Sequence, residues 1–300
     1  NITWRLTPVP GLPDQYDLNY NVKEVSAGRA MLQAGVQQGG GNKLDLLYGA
    51  SITEPNFMGT GKYVSLGFSK SSFEGNYNFT YNNPFYTTWG LQRGFKLYYT
   101  NQTPDKYNLG PYKIDSYGAQ IFYSLPFTEH DTFQFGFGYE HIAISVLNNA
   151  LLAPSDSAFL ANHPSPYNQL LVSLGYTHNT LDRYLFPTDG NLQSIGLEVG
   201  APITSRSVDY YKATYIGKWY FPLGYGFIVK PHATLGYGNG FGKTNQLPFF
   251  RNYYAGGIET LPGYDRLSLG PKNPLPGTNN QALGGNVEII GGVNLIFPNF

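Results

Sequence analysis

Phe133-Gln-Phe-Gly-Phe-Gly-Tyr-Glu140 is the stretch whose reading decides the fold. Every second residue, Phe133, Phe135, Phe137 and Tyr139, is a large aromatic. The residues between them, Gln134, Gly136, Gly138 and Glu140, are small or polar. Successive side chains of a strand point to opposite faces, so this segment makes a strand with one greasy face and one small, polar face. A helix would scatter both sets around its axis. A continuous aromatic face is unfavourable in water. In a transmembrane β-strand it lies against lipid, and the opposite face lines the barrel interior.

The pattern recurs along the chain. Val64, Leu66 and Phe68 alternate with Ser65, Gly67 and Ser69. Ile195, Leu197 and Val199 alternate with Ser194, Gly196 and Glu198. Between 227 and 235 the inner set is Ile228, Lys230, His232 and Thr234. Period-2 alternation predicts twelve strands, near residues 29–38, 45–53, 63–70, 76–83, 91–100, 117–124, 132–145, 168–179, 192–201, 210–221, 226–238 and 284–297. The fold class is therefore all-β, a transmembrane antiparallel β-barrel. Its polar inner sets imply a wet lumen rather than a packed core. Connections 125–131 and 221–225 are short; 146–167 and 239–283 are long, as expected of the external side. Residues 147–160 have room for one short helix.

Composition agrees. Charged residues are 13% of the chain, about half the usual share of a soluble domain, while aromatics reach 16%. A soluble all-β protein, the alternative, would need a more charged surface. With 19 basic and 19 acidic residues the net charge is zero, and there is no basic footprint for nucleic acid. No apolar run is long enough for a transmembrane helix. The absence of cysteine suits an oxidising periplasmic or outer-membrane setting.

Residues 1–25 differ from the rest. Ile2, Trp4 and Leu6 alternate, Pro8 to Pro13 make a turn, and alternation resumes from Tyr16 to Glu24. This reads as a hairpin that closes a soluble domain, with the barrel occupying 26–300. The opening Asn1-Ile-Thr-Trp4 is mid-strand in character, as in a piece of a longer precursor.

Within the 239–283 loop, Asn252-Tyr-Tyr-Ala-Gly-Gly-Ile-Glu-Thr-Leu-Pro-Gly-Tyr-Asp265, running on to Lys272, is too long for a hairpin turn. Its aromatics, Tyr253, Tyr254 and Tyr264, predict that it packs rather than floats.

Seven segments in order resemble the BamA family of outer-membrane assembly factors, the POTRA-plus-barrel proteins. They are Val9 to Asp17 with Tyr20 to Glu24, then Glu54-Pro-Asn-Phe-Met-Gly-Thr-Gly61, Asn83-Pro-Phe85, Thr180-Leu-Asp-Arg-Tyr-Leu-Phe-Pro-Thr-Asp-Gly190, Gly236 to Gly242, Pro248-Phe-Phe250 and Tyr254-Ala-Gly-Gly257. The resemblance implies that residues 1–25 end the last POTRA domain. It implies a barrel of about sixteen strands, the last four following Phe300, with a complete twelve-stranded barrel as the alternative. It also implies that the long loop folds into the lumen on an aliphatic-Arg-Gly-aromatic motif. Here that tetrapeptide is Leu261-Pro262-Gly263-Tyr264, without the arginine. The position aligned with the arginine's acidic partner is Asn294, so the carboxylate is missing too. Arg266, four residues after Pro262, is a candidate substitute with Glu198 or Glu288 as partner; the alternative is that it faces lumen water. Gly263 and Tyr264 are then expected to hold the loop by shape and stacking.

Signals for an enzyme are thin. No Gly-x-Ser-x-Gly elbow and no His-x-x-x-His occurs. His130-Asp131 falls in a short turn, where solvation explains it. No catalytic residue, metal or cofactor is expected. The resemblance implies instead a central component of the outer-membrane β-barrel assembly machinery, folding and inserting β-barrel proteins by strand templating at a lateral gate. The gate strand is the first, with Leu32, Gln33, Ala34, Gly35 and Val36, followed by Gly39-Gly-Gly41. Implied partners are nascent outer-membrane β-barrel proteins, periplasmic and lipoprotein subunits of the assembly complex, and outer-membrane lipids. The implied location is the outer membrane of a Gram-negative bacterium. A two-partner-secretion-type or porin-like transport pore of the same architecture is the alternative.

Overall fold

The computed structural model describes residues 2–11, 15–22, 28–39 and 44–298. Residues 12–14, Lys23, Glu24, Gly40, Gly41, Asn299 and Phe300, on which parts of the expectations above fall, lie outside the described residues. Strands β1 (Ile2–Pro8) and β2 (Tyr16–Val22) form an antiparallel hairpin with its own two-stranded sheet.

The other strands are β3 (Arg29–Gln38), β4 (Leu44–Glu54), β5 (Tyr63–Lys70), β6 (Glu74–Asn83), β7 (Gln92–Gln102), β8 (Tyr112–Pro126), β9 (Asp131–Val146), β10 (Tyr167–Asn179), β11 (Gly190–Pro202), β12 (Tyr210–Gly224), β13 (Phe227–Gly240) and β14 (Val287–Ile296). They make one twelve-stranded antiparallel sheet in unbroken sequence order from β3 to β14. This is the β-barrel architecture, and all twelve expected strands are present. Among the described residues, β3 pairs only with β4, and β14 only with β13.

The alternation does what lipid requires. Phe133, Phe135, Phe137 and Tyr139 are exposed, and Gly136, Gly138 and Glu140 on the opposite face are buried. Aromatic side chains continue across neighbouring strands of the outer face: Phe135 lies 6.0 Å from Tyr123, and Phe133 lies 5.0 Å from Tyr176. Cross-strand pairs of this kind are the unit of sheet stabilisation.

Several family-like motifs are devices that fix turns at the short-connection end. Asn56 Oδ1 accepts from the Gly61 amide at 2.6 Å, and Asn83 Oδ1 accepts from the Phe85 amide at 3.2 Å. Asp182 accepts from the Thr188 amide at 2.8 Å and from the Thr188 hydroxyl at 2.6 Å. Such side chains satisfy backbone donors that a tight turn strands.

Two expectations change. β8 begins at Tyr112 rather than near 117, because its first turn-proximal residues pair with the far end of β9. There the inner positions turn apolar. Tyr112, Ile114 and Ile142 are buried, with Leu152, Phe159 and Val208 from the connecting loops and Tyr167 and Tyr210 from the wall. The interior is therefore not wet throughout. At the long-loop end it is a packed core, and α1 (Pro154–Asn162), within the expected helical stretch, supplies Phe159 to it. The polar lining inferred from β9 holds only over the part of the strand where aromatics face out.

Candidate functional site

The long loop, 241–286, enters this interior between β13 and β14. Glycines on the inner face make room for it. A Cβ at Gly236 would lie 2.6 Å from the Tyr253 ring, and one at Gly238 would lie 3.0 Å from Leu247. The small inner residues that looked like a water-lined wall are seats for aromatic and aliphatic side chains of the loop.

The root of the loop is its most buried part. Phe249 is 4% exposed, 5.1 Å from the Tyr112 ring and edge-on to it; Phe250 stacks on Tyr167 at 5.4 Å. Between these aromatics and Tyr253, the chain delivers Arg251 to two wall carboxylates. Its Nη2 makes a short ion pair with Glu140 Oε2, and its Nε lies 4.0 Å from Glu198 Oε1. Glu140 is 4% exposed and is fully partnered: Tyr98 donates to Oε1 at 3.1 Å and Gln169 Nε2 donates to Oε2 at 2.9 Å. Tyr98, Gly118, Glu140 and Gln169 occupy one row across β7 to β10, and Gly118 is the gap through which the Tyr98 hydroxyl reaches the carboxylate. Tyr210 donates to Glu198 at 2.7 Å, with the Arg251 guanidinium 5.5 Å from its ring. A buried ion pair is tolerable only with such hydrogen bonding around it. Tyr253 finishes the root, donating to the Ala213 carbonyl at 2.7 Å with Lys212 Nζ 4.0 Å above its ring.

The return limb docks on other loops. Asn108 Nδ2 donates to the Asn279 carbonyl at 2.8 Å, and Asn273 Nδ2 donates to the Leu151 carbonyl at 2.9 Å. Burial pushes the Asp156 carboxyl of α1 up to about 6, with Ser155 donating to offset it.

The tip behaves differently. Leu261 is half-buried, and its amide donates to the Gly257 carbonyl at 2.9 Å. Pro262 and Gly263 are exposed. Gly263 has φ +94° and open space beside it, and Tyr264 is 52% exposed. Arg266 does not meet Glu198 or Glu288. Its Nη1 donates to Gln37 Oε1 on β3 at 2.8 Å. Glu198 is held by the root, through Tyr210 and Arg251. Glu288, on β14 opposite Gly236, makes no ion pair with Arg266 among the described residues. Asn294 stands opposite Lys230, six residues down β14 from Glu288 and so about 20 Å nearer the short-turn end. Strand rise alone keeps it from the tip.

On β3, Leu32, Ala34 and Val36 face outward with Ala50, Tyr48 and Leu46 of β4, and Leu32 is 89% exposed. Gln33 and Gly35 face inward on the side of Gln37.

Arg251 was the residue that sequence reasoning missed. Its signal was present: Glu140 is a lone acid on an inner face, and such a group demands a cation. Arg251, flanked by Phe250 and Tyr253, was the loop cation set in the most apolar surroundings.

The sequence profile of the Omp85 superfamily domain matches residues 56–300. The outer membrane protein assembly factor BamA of Neisseria meningitidis serogroup B is 31% identical over 308 aligned residues, covering 99% of this chain and 38% of that protein. The factor of the same name from Nitratidesulfovibrio vulgaris is 24% identical, covering 95% of this chain and 33% of its own length. The crystal structure of BamA from Haemophilus ducreyi lacking POTRA domains 1-3 superposes with a TM-score of 0.81 at 27% identity, over 100% of this chain and 58% of that one. The chain spans less than two-fifths of the length of these two curated relatives.

Proposed function

This chain belongs to the Omp85 superfamily, and we propose that it is the barrel part of an outer-membrane protein assembly factor that folds and inserts β-barrel clients by strand templating along β3. It is an outer-membrane β-barrel of a Gram-negative cell envelope. The observation that carries the reading is the likeness, along 99% of the chain, to an outer membrane protein assembly factor. β3 is the first strand of the sheet and presents Leu32 and Val36 outward. Unpaired backbone groups in hydrocarbon cost several kcal/mol each, so an incoming strand that pairs with them is drawn in without a chemical energy source. The hairpin β1–β2 is then the end of the POTRA region, handing clients from periplasmic and lipoprotein subunits to the barrel. A secretion-type or porin-like pore needs an open lumen; here the root of the loop and the apolar core pack on the inner face of β8 to β12 at the long-loop end, which favours assembly.

The test places photo-crosslinkers at residues 32–36 of the full-length protein in cells. The proposal expects capture of nascent barrel proteins there well above capture at residues 192–199 of β11. Equal capture at both would reject it.

A further inference from the structure

The long loop also reaches the far edge of the sheet. Arg266 and Gln37 are 229 residues apart in sequence, and their hydrogen bond belongs to a closed network. Gln37 Nε2 donates to Asp45 Oδ2 at 3.1 Å and to the Tyr107 hydroxyl at 3.3 Å. Tyr107 donates to Asp45 Oδ2 at 2.9 Å, and the Ser72 amide donates to Asp45 Oδ1 at 3.0 Å. The Arg266 guanidinium lies 5.4 Å from the Tyr107 ring. Asp45 is 6% exposed.

The donor sense of this chain is fixed by chemistry. Arginine only donates and an ionised carboxylate only accepts. The residue between them must accept from one and donate to the other, and a primary amide does both. A lysine at 37 would lack the acceptor, and a glutamate would set a second carboxylate beside Asp45. Gln37 is the last described side chain of β3, so the network grips the long-loop end of the first strand. Among its described members Arg266 is the one that the long loop brings, while Tyr107 and Ser72 come from shorter connections of the wall.

We propose that Arg266 is a catch through which the seated loop pins the outer end of β3 onto β4, by way of Gln37 and Asp45, so that withdrawal of the loop tip loosens that end of the first strand. The functional half of this inference rests on β3 being the client edge; the mechanical half does not. With Arg266 in place, Gln37 is held on β4 through Asp45 and the strand end is pinned. With Arg266 withdrawn, Gln37 keeps Asp45 and Tyr107 but loses its tie to the long loop, and fraying from residue 38 inward is less opposed.

Amide hydrogen exchange on the full-length protein in nanodiscs tests this, with Arg266→Ala, Gln37→Ala and the double variant. Residues 34–38 should exchange about tenfold faster in Arg266→Ala, the change expected from one lost charge-assisted hydrogen bond, and at least as fast in Gln37→Ala, which also loses its bonds to Asp45 and Tyr107. The double variant should be no faster than Gln37→Ala, and residues 167–202 should not change. Arg266→Lys, which keeps the charge and loses the fork, should fall between wild type and Arg266→Ala. Unchanged exchange at 34–38, additive single effects or a uniform rise over the barrel would overturn the catch. Crosslinking at Val36 in the same variants separates the two ideas. Faster exchange without client capture in any variant keeps the catch and rejects templating. Client capture with unchanged exchange keeps templating and rejects the catch.

Discussion

The root and the tip of the long loop solve the same problem, holding an insertion inside a barrel, by opposite physics. The root is aromatic and buried, and it carries a charge pair enclosed by Tyr98, Gln169 and Tyr210. The tip is exposed at Pro262, Gly263 and Tyr264, and just beyond it Arg266 donates a hydrogen bond to the Gln37 amide on β3. The difference teaches where removal of a side chain strands a partner. At the root it leaves a carboxylate buried and unpaired. At the tip it leaves an amide whose other hydrogen bonds persist. The root should set whether the loop is seated, and the tip how freely it moves.

The largest effect is expected from Arg251→Ala. It leaves Glu140 uncompensated, and breaking a buried pair from one side costs about 3–5 kcal/mol. The temperature at which the folded barrel loses its compact gel migration should fall accordingly, and Arg251→Lys should recover only part of the loss, since one ammonium cannot serve Glu140 and Glu198 in fork geometry.

Asp156→Asn should come next, with the opposite sign. The unfolded carboxyl titrates near 3.8 and the folded one at about 6, so the folded state keeps its proton to higher pH. Stability of the long-loop cap is therefore fully present below the unfolded value and is lost as pH rises through the folded one. The substitution should stabilise the cap by about 2–3 kcal/mol at neutral pH and by nothing at acid pH. Protection of residues 147–166 from protease across that pH range reads it. A gain that did not depend on pH would mean that charge is not the cause.

Smaller and local effects are expected at the tip. Gly263→Val forces a β-branched residue to φ +94° and should cost about 1–2 kcal/mol, confined to loop mobility. Tyr264→Ala should stay within about 0.5 kcal/mol by thermal unfolding, as for other half-exposed positions. A tip substitution as damaging as Arg251→Ala would erase the distinction between the two regions.

How much of this was legible in the sequence follows from the range of each interaction. The strands were legible because lipid imposes a period of two on residues such as Phe133, Phe135 and Phe137. The start of β8 was not, because beyond the lipid belt Tyr112 and Ile114 turn their apolar faces inward and the rule reverses. That the long stretch packs was readable from its aromatics. Its partners were not, because they come from distant strands: Arg251 meets Glu140, and Arg266 meets Gln37, across intervals that no local pattern encodes. The motif analogy pointed to the tip, and in this chain the charge that reaches the wall carboxylates enters ten residues before Leu261.

The double-mutant cycle of Arg251→Ala and Glu140→Ala, read as thermal stability of the full-length barrel, tests the role of the root most directly. The account predicts that the double variant is no less stable than Arg251→Ala alone, because removing Glu140 also removes the stranded charge, with a coupling of at least about 2 kcal/mol. Additive losses, with no coupling between the two positions, would contradict it.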